Sequence, residues 1–384
     1  MKYLYPNYYK DFACIADACP KTCCMGWQIE IDDASLERYS SAKISTVDYE
    51  NSCFYMDENK RCMNLKDNGL CRLILTHGED ILCNTCASFP RHIEEFKDVR
   101  EYSLSISCPE VARIILNQST PVEFYTSEDS TVDSEDYDDT EQIIYGYLKS
   151  LRQKFFHILS FDAAHAKTSS DTLSERSHFI HSAKKILFLA KAFQEELDFL
   201  LLSGEDINDL DFQILEDDEA DLISNISGDD EVDLISSFSY EDRRMIFDVM
   251  KEWEYTESTF EDMIHQADEV LYHHSHYFSI REDMYAYLSK QGLDVNQFYK
   301  QILSYFLYAY FCGSAYDEYY FGQAQLAVAA CLHIEDFALA HFASTGSIST
   351  EDFIQITYTY ARELEHSTSN ILTTEEYMDA HPLV

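Results

Sequence analysis

The placement of the cysteines constrains this chain more than any other feature. Ten of its twelve cysteines lie at or before Cys108, in a chain of 384 residues. Eight of them form two groups, which are Cys14, Cys19, Cys23 and Cys24, then Cys62, Cys71, Cys83 and Cys86. In a reducing compartment such a density of thiols indicates metal binding before structural disulfides. The first region is therefore predicted to be a small, loop-rich module held together by a metal.

The spacing of the thiols does not identify the metal. Iron–sulfur clusters and tetrahedral zinc both accept four thiolate ligands presented by turns, such as those that Gly69 and Asn84 favour. Neighbouring side chains tend to diverge, so Cys23 and Cys24 are not both expected to reach one ion. Disulfides and plain buried thiols are the alternatives. Cys53 and Cys108 are predicted to be structural, and Cys312 and Cys331 to pack as small hydrophobic residues.

A cytosolic location is expected from the start of the chain. Pro6, Asn7 and Lys10 interrupt the apolar stretch that a secretory signal would need. The most apolar later stretch, residues 302–316, is shorter than the roughly 18–20 residues of a membrane span. We predict that it is a buried core helix.

Proline marks the division of the chain, because five of the six prolines lie in the first 121 residues. We predict a cysteine-rich module at 1–125, an acidic linker at 126–140 and an acidic helical domain at 141–384. A second acidic stretch, Gly204–Asp233, is expected to hold a short exposed helix. Helical periodicity recurs at Ile143–Phe161, Phe179–Leu202, Tyr240–Tyr277, Phe298–Cys312, Gln323–Phe342 and Phe353–Leu364. The predicted fold class is mainly α, with a small irregular metal-binding module before an all-α body.

The formal net charge of −42 is concentrated in the helical domain. Residues 1–108 carry 12 Lys and Arg against 17 Asp and Glu, whereas the rest of the chain carries 16 against 53. Nucleic acid and anionic membranes are excluded as expected partners, because both require clustered cations. The acidity indicates either solubility alone or attraction of a lysine-bearing or otherwise cationic substrate.

Four segments resemble the flagellin lysine-N-methylase family, whose front half is related to a zinc- or iron-chelating domain. They read LYPNYYKDFACIADACPKTCCMGWQIEID, CMNLKDNGLC, LCNTCASFPRHIEEF and LSISCPEVAR, and YDEYYFGQAQLA and TYARELEHSTSN extend the likeness late in the chain. The resemblance covers most of the chain except roughly 126–240. It implies methyl transfer from S-adenosylmethionine to lysines of flagellin, with an iron–sulfur cluster (4Fe–4S, zinc being the alternative). The ligand positions it implies are Cys14, Cys19, Cys23, Cys24, Cys62, Cys71, Cys83 and Cys86.

The chain lacks the radical-type C-x3-C-x2-C motif, and its ten glycines form no cluster of the kind that a Rossmann cofactor turn needs. S-adenosylmethionine is therefore expected in a different pocket. Arg91 and His92, just after Cys86, are the predicted cofactor-binding residues, because cations there would face cluster charge or an anionic cofactor group.

Three other groups are weaker candidates for substrate or metal binding. They are Tyr316, Asp317, Glu318, Tyr319 and Tyr320; Tyr360, Arg362, Glu363, Glu365 and His366; and the run from His273 to His276. The first two combine aromatic rings with carboxylates, which suit cations, but core rim and solvated surface pairs are the plainer interpretation. A non-enzymatic zinc- or iron-binding adaptor, or a redox protein on a helical protein-binding scaffold, is the alternative function.

Overall fold

The structure is a computed structural model that describes residues 1–131, 138–166, 178–204, 207, 238–273 and 276–384. Within these ranges the chain forms six strands and thirteen α-helices. In the first part of the chain they are β1 (Lys2–Pro6), α1 (Asp33–Ser41), β2 (Val47–Asp48), β3 (Cys53–Phe54), α2 (Arg72–His77), α3 (Asn84–Ser88), β4 (Arg91–Glu95), β5 (Val99–Leu104), α4 (Pro109–Leu116) and β6 (Phe124–Glu128). The helices that follow are α5 (Asp139–Ala166), α6 (His178–Ser203), α7 (Tyr240–Asp248), α8 (Ser258–Ala267), α9 (Tyr277–Lys290), α10 (Val295–Ala309), α11 (Tyr320–Thr345), α12 (Thr350–Glu365) and α13 (Thr368–Ala380).

The mainly α fold class is confirmed, but the first region contains a sheet that the sequence did not indicate. Four strands pair in the order β4-β5-β1-β6, with β1 parallel to β5 and antiparallel to β6. Five of the six residues of β5 are buried, including Arg100 and Glu101, so the strand shows no alternation of apolar and polar residues. Strand β6 also takes in the first three residues of the predicted acidic linker. These three linker residues pair with β1. Residues 132–137 of the linker lie outside the described part.

Two hydrophobic cores organise the molecule. The larger one joins the helices to α4 and to buried residues near the sheet such as Tyr8, Phe96 and Leu104. The smaller one is built by Ile29, Tyr39 and other residues of 13–88, here called the cysteine segment. The residues on either side of the cysteine segment thus share their core with the helical body.

All six segments in which helical periodicity predicted helices contain them, but Tyr240–Tyr277 is not one continuous helix. The chain leaves the helical path between α7 and α8, where Trp253 donates from Nε1 to Thr374 Oγ1 at 3.0 Å. The backbone N–H of Thr256 then donates to Glu363 at 2.7 Å. These hydrogen bonds to helices over a hundred residues away offset the lost helical turn. Helices α9 and α13 were not predicted, and most of Gly204–Asp233 lies outside the described residues.

Helix α11 runs through the centre of the larger core. By length and composition it could cross a membrane, but 83% of its most apolar window is buried inside the protein. Its apolar surface is therefore already used in packing. The other apolar stretch, residues 302–316, forms the second half of α10 and a buried 3-10 turn, and the prediction of a core helix is confirmed there.

A buried histidine on α11 is expected to make the free energy of unfolding depend on pH. His333 is fully buried, donates from Nε2 to Ile246 O (2.7 Å) and accepts at Nδ1 from the Tyr360 hydroxyl (2.9 Å). Burial lowers the pKa of His333 from 6.5 to about 3. Between these values the unfolded chain binds one more proton than the folded chain, so this group removes about 1.4 kcal/mol of stability per pH unit as the pH falls.

The measurement is urea unfolding of the native protein and of His333→Gln at several pH values between 7 and 4. Glutamine can supply one donor and one acceptor without titrating. We expect a shallower decline of stability for the variant. Parallel declines would show that His333 is not the titrating group.

Candidate metal centre

Five thiols surround the smaller core. Cys62 and Cys83 are buried in it, and Cys24, Cys71 and Cys86 pack against it. The backbone N–H of Cys62 donates to Cys24 O at 2.9 Å, which joins the two cysteine groups of the sequence. Cys83 caps α3, and Cys86 lies within the first turn of that helix. Short turns and one short helix therefore bring to one core thiols that are up to 62 residues apart in the sequence.

Interactions between neighbouring thiols lower the pKa of two of these cysteines. The hydrogen bond from Cys86 lowers the pKa of Cys83 to about 6, and burial opposes this effect. The hydrogen bond from Cys23 lowers the pKa of Cys24 to about 7, with further help from Thr22 and Arg362. The thiolate is the form of cysteine that binds metals. Each pair can thus present one thiolate near neutral pH.

The remaining thiols form a second neighbourhood. Cys14, Cys19 and Cys108 interact electrostatically with one another, and Cys23 interacts with Cys14, Cys108 and Cys86. The neighbouring thiols of Cys23 and Cys24 shift each other's pKa. Cys108, predicted to be structural, lies at the N-cap of α4 close to these thiols. Only the fold could indicate this, since 85 residues separate Cys108 from Cys23.

A buried cation lies beside the thiols. Arg362 on α12 is 5% exposed and donates from Nη2 to Met25 O, while its Nη1 is buried without a hydrogen-bond partner among the described residues. Gly26 makes room for the guanidinium with a φ of +94°. Burying a cation is unfavourable, and the Glu257 carboxylate, which has the largest favourable effect on Arg362, also pairs with Lys21. Metal-bound thiolates at Cys19, Cys23 or Cys24 would supply further negative charge beside the guanidinium, so the donor chemistry fits an anionic thiolate centre.

The sulfur atoms do not form a complete set of metal ligands. Among the residues that the structure describes, no three His, Cys, Asp or Glu side chains are arranged to hold a metal ion. Which of the eight predicted cysteines bind a metal therefore stays a prediction.

The end of α12 closes the other side of this region, where Glu363 is buried and Glu365 and His366 are half-buried. Glu365 accepts hydrogen bonds from Ser105 and from Tyr305 (2.6 Å). His366 bonds Ser107 at 2.9 Å, and burial together with Arg362 lowers its pKa to about 3. Trp27 packs on His366, with ring centroids 4.5 Å apart. The interpretation of this group as solvated surface pairs is therefore wrong.

The predicted cofactor residues lie on the sheet edge. Arg91 and His92 are exposed on β4, where Arg91 covers the ring of Phe12 at 5.2 Å and His92 pairs with Glu94 at 3.2 Å. These contacts join neither residue to a thiol. A role in binding S-adenosylmethionine stays a prediction.

The other candidate groups have structural contacts. Tyr320 is buried against Phe193, and the Tyr319 hydroxyl donates to Glu375 O at 3.1 Å, so the tyrosines of this group point to different neighbours. His273 pairs with Glu269 at 3.1 Å on the surface. Residues 274 and 275 of the histidine run lie outside the described part.

Comparisons with known proteins place the chain in a family. A family model described as the FliB lysine N-methylase C-terminal domain matches residues 182–383, more than half of the chain. The flagellar biosynthetic protein FliU of Salmonella muenchen is 33% identical over 127 residues, which cover 29% of this chain and 75% of FliU. Lysine-N-methylases of Salmonella choleraesuis and Salmonella typhimurium are each 32% identical over 127 residues, which are 29% of this chain and 32% of each relative. No solved structure matches. The chain belongs to the FliB lysine N-methylase family.

Proposed function

We propose that this protein transfers methyl groups from S-adenosylmethionine to lysine side chains of flagellin, and that cysteines of the cysteine segment hold an iron–sulfur cluster. The observation that carries the proposal is the family match over residues 182–383. The names of the matched relatives, lysine-N-methylase and flagellar biosynthetic protein, support the reaction and a flagellar substrate. The segment shared with each lysine-N-methylase is about a third of that relative's length, so the activity of this chain is part of the proposal.

Contacts between the two halves support a joint function. Arg362, Glu365 and His366 belong to the family-matched region and contact Met25, Ser105 and Ser107 of the first region. Reduced thiols persist in the cytoplasm, which is therefore the proposed location.

The chemistry assigns separate tasks to cofactor and protein. S-adenosylmethionine supplies an electrophilic methyl group on a sulfonium. The protein has to bind a lysine ammonium, remove one proton from its nitrogen and hold that nitrogen toward the methyl group. The excess of carboxylates in the helical body favours the approach of a cationic substrate.

The test uses full-length protein purified without oxygen. Its metal content is measured by elemental analysis, and flagellin incubated with it is analysed by intact mass spectrometry with and without S-adenosylmethionine. We expect iron in the protein, and cofactor-dependent mass increments of one methylene group that map to lysines. Iron without any change in flagellin would reject the substrate. Stoichiometric zinc without methylation would favour the non-enzymatic adaptor, and a reversible cluster potential without methylation would favour the redox protein.

A further inference from the structure

A cavity of about 190 Å³ lies between α8, α11 and α12, and none of its lining residues is a cysteine. Its apolar wall includes Met263, Phe337 and Ile356, and its polar side includes His341, Asp352 and Thr359. A water molecule occupies about 30 Å³ of liquid, so the space admits a chain of several heavy atoms. The side chains of His341 and Asp352 are each 35% exposed, which places the polar side at the surface.

The polar side carries negative charge. Asp352 Oδ1 lies 3.7 Å from His341 Nε2, and none of the lining residues is a lysine or arginine. Partial burial opposes ionisation of Asp352, but hydrogen bonds from Ser349 outweigh it, and the pKa of Asp352 is lowered. The carboxylate is thus ionised at neutral pH and favours a cation in the cavity.

The geometry favours lysine over arginine. Asp352 Oδ2 already accepts from the backbone N–H of Ser349 at 2.8 Å and from its hydroxyl at 2.6 Å. Only Oδ1 is left for a ligand, so the two-pronged contact of a guanidinium with a carboxylate is not available. An ammonium is a point charge that one oxygen can face. The four methylene groups of lysine match the apolar wall.

Two of the three helices around the cavity are also attached to the cysteine segment. Helix α8 begins after Glu257, which pairs with Lys21, and α12 reaches Met25 through Arg362. The cavity lies entirely within the family-matched region. A ligand in it would therefore lie beside two helices that are held against the cysteine segment.

We propose that this cavity binds the lysine side chain that is methylated, with Asp352 facing the ammonium and His341 accepting its proton. This inference rests on the proposed function for the identity of the reaction. In that reaction Nζ loses one proton to His341 and forms a bond to the methyl carbon. The bond between that carbon and the sulfonium sulfur breaks, and its electron pair stays on sulfur. Asp352 stabilises the imidazolium that results.

Binding is tested without any need for activity. Metal-replete full-length protein is labelled with 13C at its methionine methyl groups, and the Met263 signal is assigned with Met263→Leu. We expect Nα-acetyl-lysine amide to shift this signal saturably, and the uncharged Nα-acetyl-norleucine amide to shift it far less. A missing shift, or equal shifts with both compounds, would overturn the proposal.

Variants connect the cavity to the reaction. Thr359→Trp fills the cavity from a half-buried position and is expected to abolish both the shift and flagellin methylation. His341→Gln keeps the shape of the site and is expected to lower kcat by about 100-fold or more, with a much smaller change in KM. The matched control is His265→Gln on α8, which removes an exposed imidazole 4.0 Å from Glu261 and leaves the cavity intact.

The outcomes separate the two proposals. Wild-type protein that methylates flagellin, together with a fully active His341→Gln, refutes the cavity as the lysine site and leaves the proposed function intact. A lysine-specific Met263 shift in a protein that never methylates flagellin supports the cavity and refutes the proposed substrate. Loss of activity in His265→Gln equal to that in His341→Gln would also overturn the assignment.

Discussion

Replacing Cys83 by serine is expected to weaken metal binding by about 100-fold or more. Loss of a residue that only hydrogen-bonds a metal ligand already lowers the affinity for the metal by about 10–100-fold. Cys83 is fully buried in the smaller core, and its pKa, lowered to about 6, favours the metal-binding thiolate. Serine stays protonated and is a poor ligand for soft metals. The measurement is elemental analysis of protein purified without oxygen.

The same substitution is expected to loosen the cysteine segment selectively. Its core is small, and binding free energies of structural zinc reach about 10–16 kcal/mol in small domains, so metal contributes much of the stability of such a segment. We expect limited proteolysis to cut within residues 13–88 while the helical circular dichroism signal is largely retained, because the larger core is separate. Cys312→Ala, in the larger core, is the control and should retain its metal. Full metal content in Cys83→Ser would exclude Cys83 as a ligand.

Replacing Asp336 by alanine is expected to destabilise the helical body by about 3–5 kcal/mol, the usual effect of removing one partner of a buried ion pair. Asp336 is fully buried on α11. It accepts hydrogen bonds from Arg243 and from the hydroxyl groups of Tyr272 (2.7 Å) and Tyr277 (2.8 Å). The variant leaves a buried guanidinium with Glu335 as its remaining carboxylate, at 3.0 Å. Urea unfolding measures the change in the free energy of unfolding.

Two further variants test that explanation. Asp262→Ala removes an exposed carboxylate from α8 and is expected to leave the unfolding midpoint nearly unchanged. The double variant Arg243→Met with Asp336→Leu removes both charges and is expected to recover part of the loss, because Glu335 still pairs with Arg281 at 2.8 Å. A double variant that is less stable than Asp336→Ala alone would show that packing around Arg243 matters more than its charge.

The candidate sites show how far sequence reasoning extends. The two cysteine groups and the family resemblance were readable because they are patterns in the order of residues. Nothing in that order placed Arg362 beside thiols more than 330 residues away, or Cys108 near Cys14. His341 and Asp352 were missed for the same reason, since the cavity between them depends on the packing of three helices.

The sequence by itself determined the mainly α fold class and the approximate positions of six helical segments, because helical periodicity is a local property in which residues three or four apart share a face. It also determined the density of thiols near the start of the chain and the acidity of the body. Only the tertiary structure decided the β1–β5 pairing, the break between α7 and α8, the burial of Asp336 and the contacts of α12 with the cysteine segment. These depend on contacts between residues far apart in the chain, whose free energies outweigh local preferences only when the whole core is assembled.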